Sequence, residues 1–252
     1  MTIAAELARL TAIECLAPTA QLQAGEAGVF PTVAGARVYD SRAVAVDELD
    51  RAAKYTPVLA LYTRKSESAR RGPAQGSVDR NGRTTLAIVA ELAVAARDEA
   101  GGEFADALAD DDPEARILLA GLCAQVRWLL TRADGGWLFR RAVMAVDGIE
   151  FEPFAVPNLG LRWQRTTMLF DCQIPDDHFL EAGGFPLPAS QIISLLPEDG
   201  YARRALDRLS AYMPADPPRP PLEASAFEHK PFGTHGAIGK NDAVEPPYIT
   251  GD

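Results

Sequence analysis

The sequence is short of the residues that usually carry chemistry. Only three cysteines occur, Cys15, Cys123 and Cys172. They are odd in number and far apart, so they suggest neither a disulfide framework nor a paired-cysteine metal site. Histidine is equally scarce, and Asp176-Asp177-His178 offers the one clustered set. Neighbours on an extended chain point to opposite sides, so a solvated turn after Pro175 is the better reading of that triplet than a metal site. Cys172 sits in a strand-like run and reads as a small core residue, not as a nucleophile beside Asp171 and His178. No phosphate loop is present: Gly72 to Gly76 lacks the following Lys-Ser/Thr, and Gly25 to Gly28 follows no strand. Asp110-Asp111-Asp112 reads as the charged start of a helix, not as a cation site. No apolar run reaches the length of a membrane span, the N-terminus has no secretory pattern, and no internal repeat is visible. These absences predict a protein without a catalytic centre, metal or cofactor, made in a reducing cytosol.

What the sequence does contain is material for a core and a strongly acidic balance. Its 252 residues are 47% hydrophobic, enough for one large domain, and the formal net charge is −10. Such a charge argues against a whole surface that grips nucleic acid, although one basic patch could still do so.

A basic patch is present. Pro57 to Thr63 is short, apolar and suited to a buried strand. The stretch Arg64 to Arg83 that follows carries Arg64, Lys65, Arg70, Arg71, Arg80 and Arg83, with turn signals at Gly72-Pro73, Gly76 and Asn81-Gly82. Thr84, Leu86, Ile88, Ala90, Leu92 and Val94 then alternate along a second strand, although its alanines and glutamate would also suit a helix. The reading is two strands joined by a flexible basic finger. Within that finger only Glu67 and Asp79 oppose the six cations, so a solvated tip and a contact surface for an acidic partner or passing DNA both stand.

Around this hairpin the periodicity predicts an amphipathic helix at Thr2 to Leu16, with Ile3, Leu7, Leu10 and Ile13 on one side and Pro18 as its stop. A linker through Gly28 and Pro31 leads to a short strand at Arg37 to Asp40. Asp47 to Lys54 reads as a helical turn or loop, and Glu103 to Ala109 as a short helix. Asp112-Pro113 starts a longer helix carrying Leu118, Leu122, Val126 and Leu129, which ends at Asp134-Gly135-Gly136. Trp137 to Val146 fits helix or strand. Gly148 to Phe154 reads as a half-buried strand. Leu161 to Ile174 is apolar on both faces, as in a covered or oligomeric sheet. Trp128, Trp137 and Trp163 are expected in the core or at an interface. Residues 176–213 read as a linker and one helix, with Tyr201, Ala205, Leu209 and Tyr212 on its apolar side. Residues 214–252 read as an extended Pro-rich arm with Phe227, Phe232 and Tyr248 as anchors for a partner.

The order of these elements carries a resemblance. A helix is followed by Arg-Val-Tyr-Asp-Ser at Arg37 to Ser41, Pro-Val-Leu-Ala-Leu-Tyr-Thr-Arg at Pro57 to Arg64, a polar loop, and Arg-Thr-Thr-Leu-Ala-Ile-Val-Ala-Glu at Arg83 to Glu91. Over roughly Met1 to Ile174 this resembles the tail terminator proteins of long-tailed bacteriophages, the lambda minor tail protein U type. The resemblance implies an α/β (α+β) fold, a mixed or antiparallel sheet packed by two main helices, over residues 1–175. It implies a structural virion protein, a hexameric ring that caps the tail tube, halts its growth and meets the head-completion proteins, with DNA passing through the lumen without specific binding. It places Arg64 to Arg83 among the ring or tube contacts. A head–tail connector, stopper or tube protein is the nearest alternative. A cytosolic enzyme with dispersed site residues and a Pro-rich recruitment module are alternatives of other classes.

Overall fold

The computed structural model describes residues 2–70, 80–97, 102–107, 113–156, 161–179 and 184–213, without the side chains of 70, 80, 81, 97, 155, 156 and 161–163. The strand runs read from the sequence assemble into one six-stranded mixed sheet in the order β1-β2-β3-β6-β5, with β4 paired to β3. The strands are β1 (Val38–Asp40), β2 (Thr56–Arg70), β3 (Arg80–Arg97), β4 (Glu103–Ala107), β5 (Ala145–Val156) and β6 (Leu161–Ile174). Only β1 and β2 run parallel; every other pair is antiparallel. The fold is α+β.

Side-chain alternation divides the sheet into two unlike faces. One face collects Leu59 and Leu61 of β2, Leu86, Ile88, Ala90 and Leu92 of β3, and Met168, Phe170, Cys172 and Ile174 of β6. The two longest helices, α1 (Ile3–Leu16) and α3 (Pro113–Thr131), both contribute to the core on this face. The opposite face carries a smaller apolar cluster of Tyr39, Val44, Leu49, Val58, Ala60 and Ala93. Across β3 and β6 that face turns polar, where Glu91 pairs with Arg165 at 2.7 Å.

Helix α1 is where burial departs most from the sequence pattern. An apolar stripe was expected; nearly the whole helix is buried, Arg9, Thr11 and Glu14 included. It lies between the sheet and the short helices α4 (Trp137–Ala142), α5 (Ala189–Ile193) and α6 (Tyr201–Ser210). Four alanines, Ala4, Ala5, Ala8 and Ala12, let neighbours approach from every side. Each buried polar group is satisfied, as burial requires. Arg9 pairs with Glu6 and Asp40 and donates to Ser41 at 2.9 Å. Thr11 donates to the Leu7 carbonyl at 2.8 Å, and Glu14 accepts from the amide and hydroxyl of Thr19, both at 2.8 Å. The first turn is capped twice. Thr2 accepts from the Ala5 amide at 3.2 Å, and Asp177 accepts from the Ile3 and Ala4 amides at 2.7 and 2.8 Å. Asp177 is therefore a helix cap, and Asp176 accepts from Ser68 at 2.6 Å.

Several other expectations change. Residues 103–107, read as helix, form strand β4, because the chain turns back after β3 and Ala93 to Arg97 offer a free strand to pair with. The linker after Pro18 holds the short helix α2 (Thr19–Gln23) and a 3-10 turn at Gly25–Ala27. In the segment 176–213, read as linker and helix, α5 and α6 pack against α1, with Ala189, Ile192, Leu196, Ala202 and Leu206 in the main core. In α6 the buried side is Ala202 and Leu206, while Tyr201 and Tyr212 are exposed; the Tyr201 hydroxyl instead donates to Asp40 at 2.7 Å. Met1–Asp216 form one compact unit. The Asp110 to Asp112 run and the 214–252 arm, with Phe227, Phe232 and Tyr248, lie outside the described residues.

Candidate binding surfaces

Two surfaces draw attention, the basic hairpin and the far edge of the sheet. The hairpin is more regular than its sequence suggested. Over the described part of Arg64 to Arg83, where a flexible finger was expected, the chain is strand: β2 continues to Arg70 and β3 begins at Arg80, and 71–79 are outside the described residues. Thr84 and Leu86 face the core and fix the register, and Thr84 donates to the Lys65 carbonyl at 2.8 Å. The β2–β3 pairing runs to Arg70 and Arg80, past the last β3–β6 pair at Gly82 and Ile174.

Three of the six cations have described side chains, and each lies beside a carboxylate. Arg64 lies 3.6 Å from Glu152 of β5, Lys65 lies 3.2 Å from Glu67, and Arg83 pairs with Asp147. These pairs are exposed, so each contributes little to stability. For Arg64 and Arg83 the counter-charge comes from β5, outside the hairpin. The side chains of Arg70 and Arg80, and all of Arg71, are outside the described residues.

The second surface was not anticipated. β5 ends the strand order, so one of its sides has no strand partner among the described elements. Beside it, between α3 and β5, lies a groove of about 1290 Å³. Ala120, Cys123 and Ala124 of α3 leave the space. Trp128, Met144, Ile149 and Phe151 give it apolar walls, and Arg127, Arg132 and Arg140 also line it. Of the two places expected for the tryptophans, core or interface, exposure removes the core for Trp128 at 63% and Trp137 at 49%; Met144 is 70% exposed, and the Trp163 side chain is outside the described residues. The cause is helical phase. The buried stripe of α3 runs through Leu122, Val126 and Leu129, and Trp128, two residues after Val126, falls on the far side. A tryptophan out of phase with its own stripe was the available sequence signal for this groove.

The titratable groups give no sign of a reactive centre among the described residues. Burial pushes the Cys15 and Cys123 thiols up to about 11. Burial, with the nearby Asp171 and Asp147 charges, pushes Cys172 up to about 12. At neutral pH all three are inert thiols. Arg42 holds Glu48 down at about 2 through a paired hydrogen bond, at 2.7 and 2.9 Å, and stacks 4.4 Å from the Tyr39 ring. That set fastens the segment crossing the second face. No cluster of potential metal ligands occurs among the described residues, and none of their helices is long and apolar enough to cross a membrane.

Searches against protein-family models and against curated proteins find no match for the chain.

Proposed function

We propose that the chain is a structural subunit of a long-tailed phage particle, a tail-terminator-like protein that forms a ring, of six subunits by the resemblance, on the last layer of the tail tube. The observation that carries this reading is the element order. A buried N-terminal helix, a short parallel strand, a long basic hairpin, a second long helix and closing antiparallel strands share one sheet. That is the order on which the resemblance to tail terminators rests. A ring subunit needs a rigid body and surfaces that meet neighbours. The former is supported by the packing around α1, the latter by the cationic hairpin and the exposed edge at β5. In this reading Arg64, Lys65, Arg70, Arg71, Arg80 and Arg83 serve subunit or tube contacts, and Phe227, Phe232 and Tyr248 reach neighbouring proteins. The chain performs no catalytic step and acts in the neck of the virion, with the tube protein and a head-completion protein as partners.

Removing the chain from the cell that produces the particle tests this directly. Tails of uncontrolled length that fail to join heads are the expected result. Tails of normal length that still fail to join heads would move the assignment to a connector or stopper. Complete, infectious particles in its absence would overturn the reading.

A further inference from the structure

We propose that the groove between α3 and β5 is a docking site for an extended, acidic peptide segment of a partner protein, which adds as a strand to the free edge of β5. This goes beyond the ring reading and does not depend on it.

Three observations converge here. The first is the edge itself. β5 is a long strand at the end of the order, with no strand partner on its outer side among the described residues, and such a side presents backbone donors and acceptors to a visiting strand. Bulges interrupt it between Val146 and Gly148 and between Pro153 and Ala155. Between them Gly148 to Glu152 keep regular pairing with Asp171 to Thr167, so that stretch is the straight template a visiting strand would use. The second is the groove. A strand laid there would place alternate side chains over the α3 side, where Trp128 and Met144 are largely exposed and Phe151 is 41% exposed. An apolar surface of this kind beside an open edge marks an interaction site.

The third is charge, and it selects the occupant. Arg127, Arg132 and Arg140 line the groove, and no acidic residue does among the described residues. Arg140 is held by the Leu129 and Leu130 carbonyls at 3.3 and 3.4 Å. Arg127 and Arg132 are exposed and have no acidic partner among the described residues. A basic groove on a chain of net charge −10 is a local reversal of sign. Two copies meeting edge to edge about a two-fold axis would set these arginines against their own counterparts, which like-charge repulsion disfavours. A segment with apolar residues at alternate positions and acids flanking them satisfies all three features.

The test uses the full chain and a defined probe, a fluorescein-labelled twelve-residue peptide. The peptide alternates valine and threonine around one central phenylalanine and carries two glutamates at each end. Fluorescence anisotropy is compared with the same peptide carrying lysines for glutamates, and with a version N-methylated at alternate backbone positions. The proposal expects the glutamate peptide to bind at least about tenfold more tightly than the lysine peptide. It expects Arg127→Glu with Arg132→Glu to reverse that preference at an unchanged melting temperature. It expects N-methylation to abolish binding, and amides of Gly148 to Glu152 to exchange more slowly in the complex. No binding, equal binding of the two charged peptides, or binding indifferent to N-methylation overturns it. Concentration-dependent self-association of the chain that the same arginine substitutions remove would assign the groove to a second copy and overturn the partner proposal.

Discussion

Helices α1 and α3 share one face of the sheet and are used in opposite ways. α1 is an internal beam, closed in by the sheet on one side and by α4, α5 and α6 on the other. α3 is a cover, with Ala115, Leu119, Leu122, Cys123, Val126, Leu129 and Leu130 buried and Trp128 left outside. Apolar content alone does not separate them. What does is the size of the residues off the main stripe: alanine around α1 admits neighbours, whereas Arg127 and Trp128 on α3, with Arg132 just beyond its end, keep one side open to a groove. One helix therefore carries stability, and the other carries a surface.

Substitutions should divide along that line. The largest effect is expected from Leu7→Ala in α1. Leu7 is fully buried, and the lost burial plus the cavity costs about 2–5 kcal/mol, measured by urea unfolding. Trp128→Ala, a larger truncation, should change stability by no more than about 0.5 kcal/mol because the ring is already in solvent. Similar losses at the two positions would erase the distinction between beam and cover.

Next comes Asp40→Ala. Asp40 pairs with the buried Arg9, and its removal leaves that guanidinium with Glu6 and Ser41 alone. A loss of about 3 kcal/mol is expected from a buried charge stripped of one partner. Restoration of stability by the additional change Arg9→Leu would tie the loss to the stranded charge. A smaller cost, about 1 kcal/mol, is expected for Asp177→Ala, which removes two hydrogen bonds from the first turn of α1. Deletion of the cap without effect would mean that Thr2 suffices.

The smallest effect is one of pH, on the opposite face. The folded-state value of Glu48 is lowered from 4.5 to about 2, chiefly by its hydrogen bond to Arg42. A lowered carboxylate contributes stability above its unfolded value, and that contribution is lost as pH falls through the folded one. Glu48→Gln should therefore flatten the decline in stability between pH 4.5 and 2, and leave the difference from the parent chain constant above pH 6.

The same contrast explains how far the sequence could be read. Strands β3 and β5 were legible from alternation of apolar and polar residues, and β2 and β6 from apolar runs whose consecutive residues are buried on opposite faces of the sheet; β1 was legible as the short run Arg37 to Asp40. Pro113 marked the start of α3, and Gly135-Gly136 marked its end. β4 was illegible because Glu103 to Ala107 has little propensity of its own and is strand only by pairing with the end of β3. The all-round burial of α1 depends on α4, α5 and α6, which arrive from more than a hundred residues away and leave no trace in its own periodicity. The groove is composite in the same sense. Its walls come from α3 and β5, which are legible separately, but their adjacency is a product of sheet order. The basic hairpin was visible as a cluster of cations, yet the pairing of Arg64 with Glu152 and of Arg83 with Asp147 required β5 to be in place.

The proposed role makes this molecule a contact subunit of a larger particle. The most direct measurement is to express a tagged copy in the producing cell, recover the particles, and locate the tag by electron microscopy. The account predicts label as a ring at the junction of head and tail tube. Label absent from every particle, with the chain recovered only as a free monomer, would contradict it.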